Sequence, residues 1–424
     1  MDSSPDLNQI GREAKQAAQV LAGAQTRQKN VALKRIAEGL EEQQANIVQA
    51  NREDLAAARA SGMDAAMLDR LSVEHRLEDI ARDVHAVEQE PDPIGEVFYE
   101  STLPNGLRLS KQRTALGVLG VIYEARPNVT IDVAVLSIKT GNAAVLRGGK
   151  EALLTNQALA KVVGEALELT GLPSKAIQLI GSADRQLVLQ LLQMQEYLDL
   201  IIPRGGALLH QFCREHSRIP VITGGIGVCH MFVDESASIN QVLPVLDNAK
   251  TQRPTVCNAL DTVLVHGNIA DSLLPQLSER LGNKGVRFSC DVQAEKYFAD
   301  LAQRAPERVM IAAREDWDRE WLGLTLGVRI VNSLDEAIHH IKRHSSGHSD
   351  GILTENEDHA KRFIREVDSA AVYVNASTRF TDGSQFGLGS EVAISTQKLH
   401  ARGPMGLPEL TSYKWVVQGD YHTR

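Results

Sequence analysis

GVLGVIYEARPNVTIDVAVLSIKTGNAAVLRGGKEA, residues 117–152, decides the fold. Gly117 to Tyr123 is a short run rich in β-branched residues, Ala143 to Arg147 is another, and Val129 to Lys139 between them has the length and apolar spacing of a helix. Strand, helix and strand of these lengths imply a right-handed crossover and a parallel sheet covered on both faces. The alternation continues to about Ile222. Helices are expected near Leu153 to Leu167, Leu187 to Tyr197 and Leu208 to His216, and strands at AIQLI (176–180), LDLII (198–202) and IPVIT (219–223). A second series starts at about Ile239, with strands TVLVH (262–266), VMIAA (309–313), LGVRIV (326–331), GILT (351–354) and AVYVN (371–375). Two α/β units in one chain suggest a ligand cleft between them.

Upstream, the first ninety or so residues read as helices, with Ala14, Ala17, Val20 and Leu21, then Ile36, Leu40, Ile47 and Leu55, at helical spacing. The period becomes two near Val97, and Pro104-Asn105-Gly106 marks a hairpin, since Asn-Gly accepts the positive φ of a tight turn. The tail TSYKWVVQ (411–418) alternates too; a lone terminal strand needs a partner sheet, expected to be the hairpin of a neighbouring subunit.

Composition narrows the function. With 45 Lys and Arg against 54 Asp and Glu the net charge is −9, which argues against nucleic-acid or polybasic membrane binding. Four cysteines in 424 residues are no disulfide framework. The start, MDSSPDLNQ, lacks the apolar run of a secretory signal, and no stretch reaches the roughly 20 apolar residues of a membrane helix, so a cytoplasmic protein is expected.

Cys257 has the most distinctive surroundings of the four: QRPTVCNALD puts it in a loop after Arg253, whose charge would favour the thiolate. A buried, inert thiol is the plainer reading, and Cys213, Cys229 and Cys290 are taken that way. A Cys-His hydrolase pairing stays open because nothing singles out the histidine. His210, Cys213 and His216 have a metal-like spacing, but the sixth residue drifts off the helical face and no fourth ligand is evident, so no metal is expected. Neither G-x-x-x-x-G-K-[ST] nor G-x-G-x-x-G after a strand is present. LRGGKEA (146–152) nonetheless ends a strand and opens a helix, so Arg147, the backbone of Gly148 and Gly149, and Lys150 could hold a phosphate, or form only a solvated basic turn.

In order along the chain, GVIYEARPNVT, LRGGKEA, IIPRGG, VITGGIGVCH, QRPTVCNALDT, NASTRFTDGSQFGLGSEVAIST and LHARGPMGL resemble the aldehyde dehydrogenase superfamily, in its proline-biosynthetic branch. The resemblance implies a Rossmann-like cofactor domain (1–100 and 122–228, with 371–389 returning to it), a second α/β catalytic domain (229–370) and a β-strand oligomerisation flap (101–121 and 390–424). It implies NADPH-dependent reduction of L-glutamyl 5-phosphate to L-glutamate 5-semialdehyde, with Cys257 as nucleophile. Where thioester-hydrolysing relatives carry a general-base glutamate in E-L-G-G-K, this chain has Val221-Ile222-Thr223-Gly224-Gly225-Ile226, which fits a reductase that must exclude activated water. NAD-preferring relatives place a glutamate where Lys150 stands, so NADPH is expected.

By the same resemblance Arg147, Gly148, Gly149, Lys150 and Gly205 attend the cofactor, Glu320 matches the glutamate that holds the nicotinamide ribose, and Phe386 matches a cleft-lining phenylalanine. Asn128 is the available oxyanion amide, in an offset register, and Arg126, Arg253 and Arg379 are candidates for the substrate's anionic groups. A small-molecule substrate, a homo-oligomer and a contact with glutamate 5-kinase complete the expectations. A CoA-acylating aldehyde dehydrogenase also needs no such base and is the alternative within the superfamily. A cysteine hydrolase and a catalytically silent scaffold are the alternatives outside it.

Overall fold

The computed structural model describes residues 5–224 and 226–424, so residues 1–4 and Gly225 of the 221–226 stretch lie outside the described residues. The chain divides into two compact units, the first running to Gly224 with Gly387–Ala393 and Leu399–Arg424, the second from there to Phe386 with Ile394–Lys398.

The first unit opens with helices α1 (Leu7–Ala22), α2 (Thr26–Glu42), α3 (Gln44–Ala60), α4 (Ala65–Leu71) and α5 (Leu77–Gln89). Asp6 caps α1 by accepting from the amides of Asn8 and Gln9, and Leu7, Ala14, Ala17, Ala18 and Leu21 are buried along one face. After β1 (Val97–Thr102) and β2 (Arg108–Ala115) come β3 (Val118–Tyr123), α6 (Asn128–Lys139), β4 (Ala143–Gly148), α7 (Leu153–Leu169), β5 (Ile177–Leu179), α8 (Gln186–Leu191), β6 (Leu200–Arg204) and α9 (Ala207–His216). The parallel sheet has the order β5-β4-β3-β6. The order in which strands are added therefore reverses between β3 and β6, and a crevice at the carboxyl ends of strands at such a switch point is where these sheets bind ligands.

Two elements differ from the sequence reading. The helix expected to reach Tyr197 stops at Leu191, because Met194 and Tyr197 pack onto Gly11, whose missing side chain makes room. IPVIT is not a strand: only Val221 bridges to Ile201, and Pro220 beside it has a carbonyl to offer, 2.8 Å from the Ile201 amide, but no N–H.

The second unit holds β7 (Cys229–Val233), α10 (Ile239–Thr251), β8 (Leu260–His266), α11 (Gly267–Gly282), β9 (Arg287–Cys290), α12 (Ala299–Arg304), β10 (Val309–Ile311), β11 (Thr325–Val331), α13 (Leu334–His344), β12 (Ser349–Leu353), α14 (Glu357–Glu366) and β13 (Ala371–Val374). Its sheet is parallel throughout, in the order β10-β9-β11-β8-β7-β12-β13. The sequence reading passed over β7 and β9; β7 is entirely buried. Residues 371–386, expected to rejoin the cofactor domain, belong here instead, since the backbone of β13 pairs with β12 from Ala371 opposite Ser349 to Val374 opposite Ile352.

The tail strand β14 (Thr411–Gln418) pairs antiparallel with β2 of its own chain, from Thr411 opposite Ala115 to Gln418 opposite Arg108. This corrects the expectation of a neighbouring subunit's hairpin: β1 covers one edge of β2, and the chain's own end covers the other. Residues ahead of β14 are not flap, for Val392, Ala401, Met405 and Leu410 are buried in the core of the first unit.

Candidate active site

Cys257 lies in the turn between α10 and β8, at the amino end of a strand buried along its whole length. It is the one cysteine of the four that is not buried. Burial pushes the Cys213 thiol up to about 12 and also raises Cys229 and Cys290, so those three stay protonated and unreactive.

The turn is held tightly. A Cβ on Gly227 would lie 1.6 Å from the Cys257 carbonyl oxygen and 2.7 Å from its Cα. The Cys229 thiol stands 3.2 Å from the same oxygen. The Glu320 carboxylate accepts the Gly227 amide at 3.1 Å. Asn258, the next residue, donates its amide to the Thr381 carbonyl at 2.8 Å and accepts from Thr378 on its own carbonyl at 2.7 Å. Its side-chain oxygen receives the Arg379 guanidinium, which also donates to Gln252 at 3.1 Å. Burial lowers the Arg379 pKa, Asp382 counters this, Arg253 adds to it, and the charge of Cys257 opposes it. Phe386 is exposed on a turn a few residues after Arg379.

In the first unit, Arg147, Gly148, Gly149, Lys150 and Gly205 all stand at the carboxyl ends of β4 and β6. Lys150 is exposed. Arg147 differs from expectation: its guanidinium turns inward to the carbonyls of Gly148, at 3.0 Å, and of Ala183 and Asp184, at 3.4 Å each, and so shapes the turn. The Glu151 carboxylate folds back over Gly149, where a Cβ would lie 2.0 Å away, and accepts the Ala125 amide at 2.7 Å. Gly205 has the same reason to be glycine, since a Cβ there would lie 2.4 Å from the Glu124 carboxylate. Asn128 starts α6 and donates to Asp132 at 2.9 Å, and burial pushes Asp132 up to about 7. An amide NH2 has two hydrogens, so this bond leaves Asn128 a second N–H to offer. Arg126 sits half-buried just ahead of it.

The sequence profile of the aldehyde dehydrogenase family matches residues 2–292. A gamma-glutamyl phosphate reductase of Escherichia coli O81 (strain ED1a) is 56% identical over 419 residues, covering 99% of this chain and 100% of the relative. This chain belongs to the aldehyde dehydrogenase family, among its gamma-glutamyl phosphate reductases. The crystal structure of the gamma-glutamyl phosphate reductase from Thermotoga maritima superposes with a TM-score of 0.94 at 45% identity, covering 99% of this chain and 100% of that one. An acetylating aldehyde dehydrogenase from Geobacillus thermoglucosidasius shares the fold, with a TM-score of 0.72 at 17% identity over 99% and 97% of the two chains. The aldehyde dehydrogenase fold, expected from the motifs, is thus established.

Within the second unit Arg379 bonds Asn258, next to Cys257 in the chain, and Glu320 bonds Gly227, which packs on the Cys257 backbone. Gly227, Asn258, Lys250 and Asp261 were not singled out by sequence reasoning. Only Asn258, adjacent to Cys257, carried a signal that could have been read. Among the described residues no group of three His, Cys, Asp or Glu could hold a metal ion, and no helix is long and apolar enough to cross a membrane.

Proposed function

We propose that this chain reduces L-glutamyl 5-phosphate to L-glutamate 5-semialdehyde and phosphate in proline biosynthesis, with NADPH as reductant and a thioester on Cys257. The carrying observation is end-to-end identity with enzymes named for this substrate, 56% over 419 residues. The CoA-acylating alternative rests on likeness in fold at 17% identity.

The Cys257 thiolate attacks the acyl carbon, the bond from that carbon to the phosphate oxygen breaks, and phosphate leaves with the electron pair. The Cys257 backbone N–H donates to the oxyanion in the tetrahedral state. Arg253 and Arg379 neutralise the carboxylate or the departing phosphate, either of which an Arg can grip bidentately. NADPH, when bound, supplies the hydride that reduces the thioester carbon. The reduced centre then expels the Cys257 thiolate and releases the aldehyde. Residues 221–226 contain no acid to activate water, so the thioester persists until it is reduced.

The first unit suits the coenzyme. The switch point between β3 and β6, the glycine turn 148–149 and Gly205 lie at one end of the sheet, and Lys150 is exposed there to meet a 2′-phosphate. Glu151, held by the Ala125 amide, is turned back from that position. Glu320 and Phe386 are the second unit's candidates for the nicotinamide end. The test is oxidation run in reverse: semialdehyde and phosphate should reduce NADP+ with the purified protein, and replacing phosphate with CoA should stop it. Turnover with CoA and none with phosphate would refute the reading.

A further inference from the structure

A buried charge pair lies behind the Cys257 turn. Lys250, at the end of α10, and Asp261, in β8, bracket the nucleophile in sequence and are both inaccessible to solvent, at 0% and 2% exposure. The Lys250 ammonium donates to the Leu260 carbonyl at 2.9 Å and stands 4.0 Å from the Asp261 carboxylate. Burial raises the Asp261 pKa and lowers that of Lys250, so each offsets a desolvation cost that neither could bear alone.

What Asp261 does with its two oxygens is more specific. One accepts the Cys229 amide at 3.2 Å and the other the Trp321 amide at 3.0 Å. Cys229 is the residue whose thiol meets the Cys257 carbonyl at 3.2 Å. Trp321 follows Glu320, which holds the Gly227 amide at 3.1 Å, and Gly227 lies on the Cys257 backbone. One carboxylate thus anchors both pieces of chain that clamp the nucleophile's peptide. We propose that Asp261, held in place by Lys250, is a positioning residue for Cys257, fixing through Cys229 and the Glu320 loop the backbone that carries the thiol and its N–H donor. Misplacement of a reacting group by about 1 Å can cost about a hundredfold in rate. Asp261 touches neither substrate nor coenzyme, so its loss should leave binding alone.

The inference rests on Cys257 being the nucleophile, and the experiment separates the two claims. Asp261→Asn keeps the shape but turns an NH2 toward one of the two backbone amides. We expect kcat to fall by about ten- to a hundredfold with KM for both substrates within about twofold. Alkylation of Cys257 by iodoacetamide, followed by mass spectrometry and needing no substrate, should change rate in the same variant. The milder pair Cys229→Ala and Cys229→Ser covers a failure of Asp261→Asn to fold: alanine should lower kcat several-fold at constant KM, and serine, which can still donate to the Cys257 carbonyl, should restore it. Unchanged kcat in folded Asp261→Asn, or equal kcat in the two Cys229 variants, would overturn the proposal. Reductase activity absent from the wild type, with alkylation still sensitive to Asp261, would instead sink only the functional reading.

Discussion

Gly227 rests on Cys257 so closely that a Cβ would stand 1.6 Å from its carbonyl oxygen and 2.4 Å from its carbonyl carbon. Both are backbone atoms, which cannot swing aside as a side chain would. Gly227→Ala should therefore displace the Cys257 peptide, cutting kcat by about a hundredfold or more and costing about 1–3 kcal/mol of stability. Steady-state kinetics beside a thermal melt would check this, and wild-type turnover would show that the Cys257 peptide can yield without cost to the reaction.

Cys257→Ser removes the sulfur and keeps the turn. Hydride transfer should vanish because a serine hydroxyl is a far weaker nucleophile than a thiolate. NADPH binding, followed by fluorescence titration, should survive within about threefold, since the glycine turn and Lys150 lie in the other unit. Retained turnover would remove the thioester from the mechanism.

Lys150→Glu reverses the charge expected to meet the 2′-phosphate. The ratio of kcat/KM for NADPH over NADH should drop by at least tenfold, about 1.4 kcal/mol, chiefly through NADPH. An unchanged ratio would assign the discrimination to another residue.

His340 gives a pH signature. Burial, with the charges of His230, His344, Arg329 and Arg343, pushes its pKa down to about 2, and the Arg329 guanidinium stands 3.1 Å from its Nδ1. The ring is neutral in the fold at all working pH. Its contribution is fully present above the unfolded value of about 6.5 and is lost below it, at about 1.4 kcal/mol per pH unit, as the unfolded chain gains a proton that the native state refuses. Asp132 and Asp261, whose pKa values burial raises, act in the opposite sense over the same interval. The informative quantity is thus a difference: between pH 7 and pH 5, His340→Phe should lose less urea resistance than the wild type. Equal losses would mean that the native state protonates His340 after all.

Much of this was legible in the chain itself. β3, α6 and β4 follow from local period and residue type, because a strand buried on both faces must be a short apolar run and its crossover an apolar helix. The ordered motifs named the family and pointed to Cys257. Reading failed where distant residues set the local outcome. The helix after Gln186 is cut short by packing on Gly11, β7 hides a histidine in an otherwise apolar strand, and β14 takes as its partner a strand about three hundred residues earlier.

The alternating α/β plan, the lack of an acid in residues 221–226 and the loop setting of Cys257 are properties of neighbouring residues, and neighbouring residues are what a linear text records. The inward turn of Arg147, the clamp on the Cys257 peptide and the Lys250–Asp261 pair depend on side chains that folding alone brings within a few ångströms. A carboxylate or a guanidinium has the same letter whether it faces solvent or is spent on buried backbone groups. Its burial and its partners, which set both its charge and its use, exist only once the chain has folded.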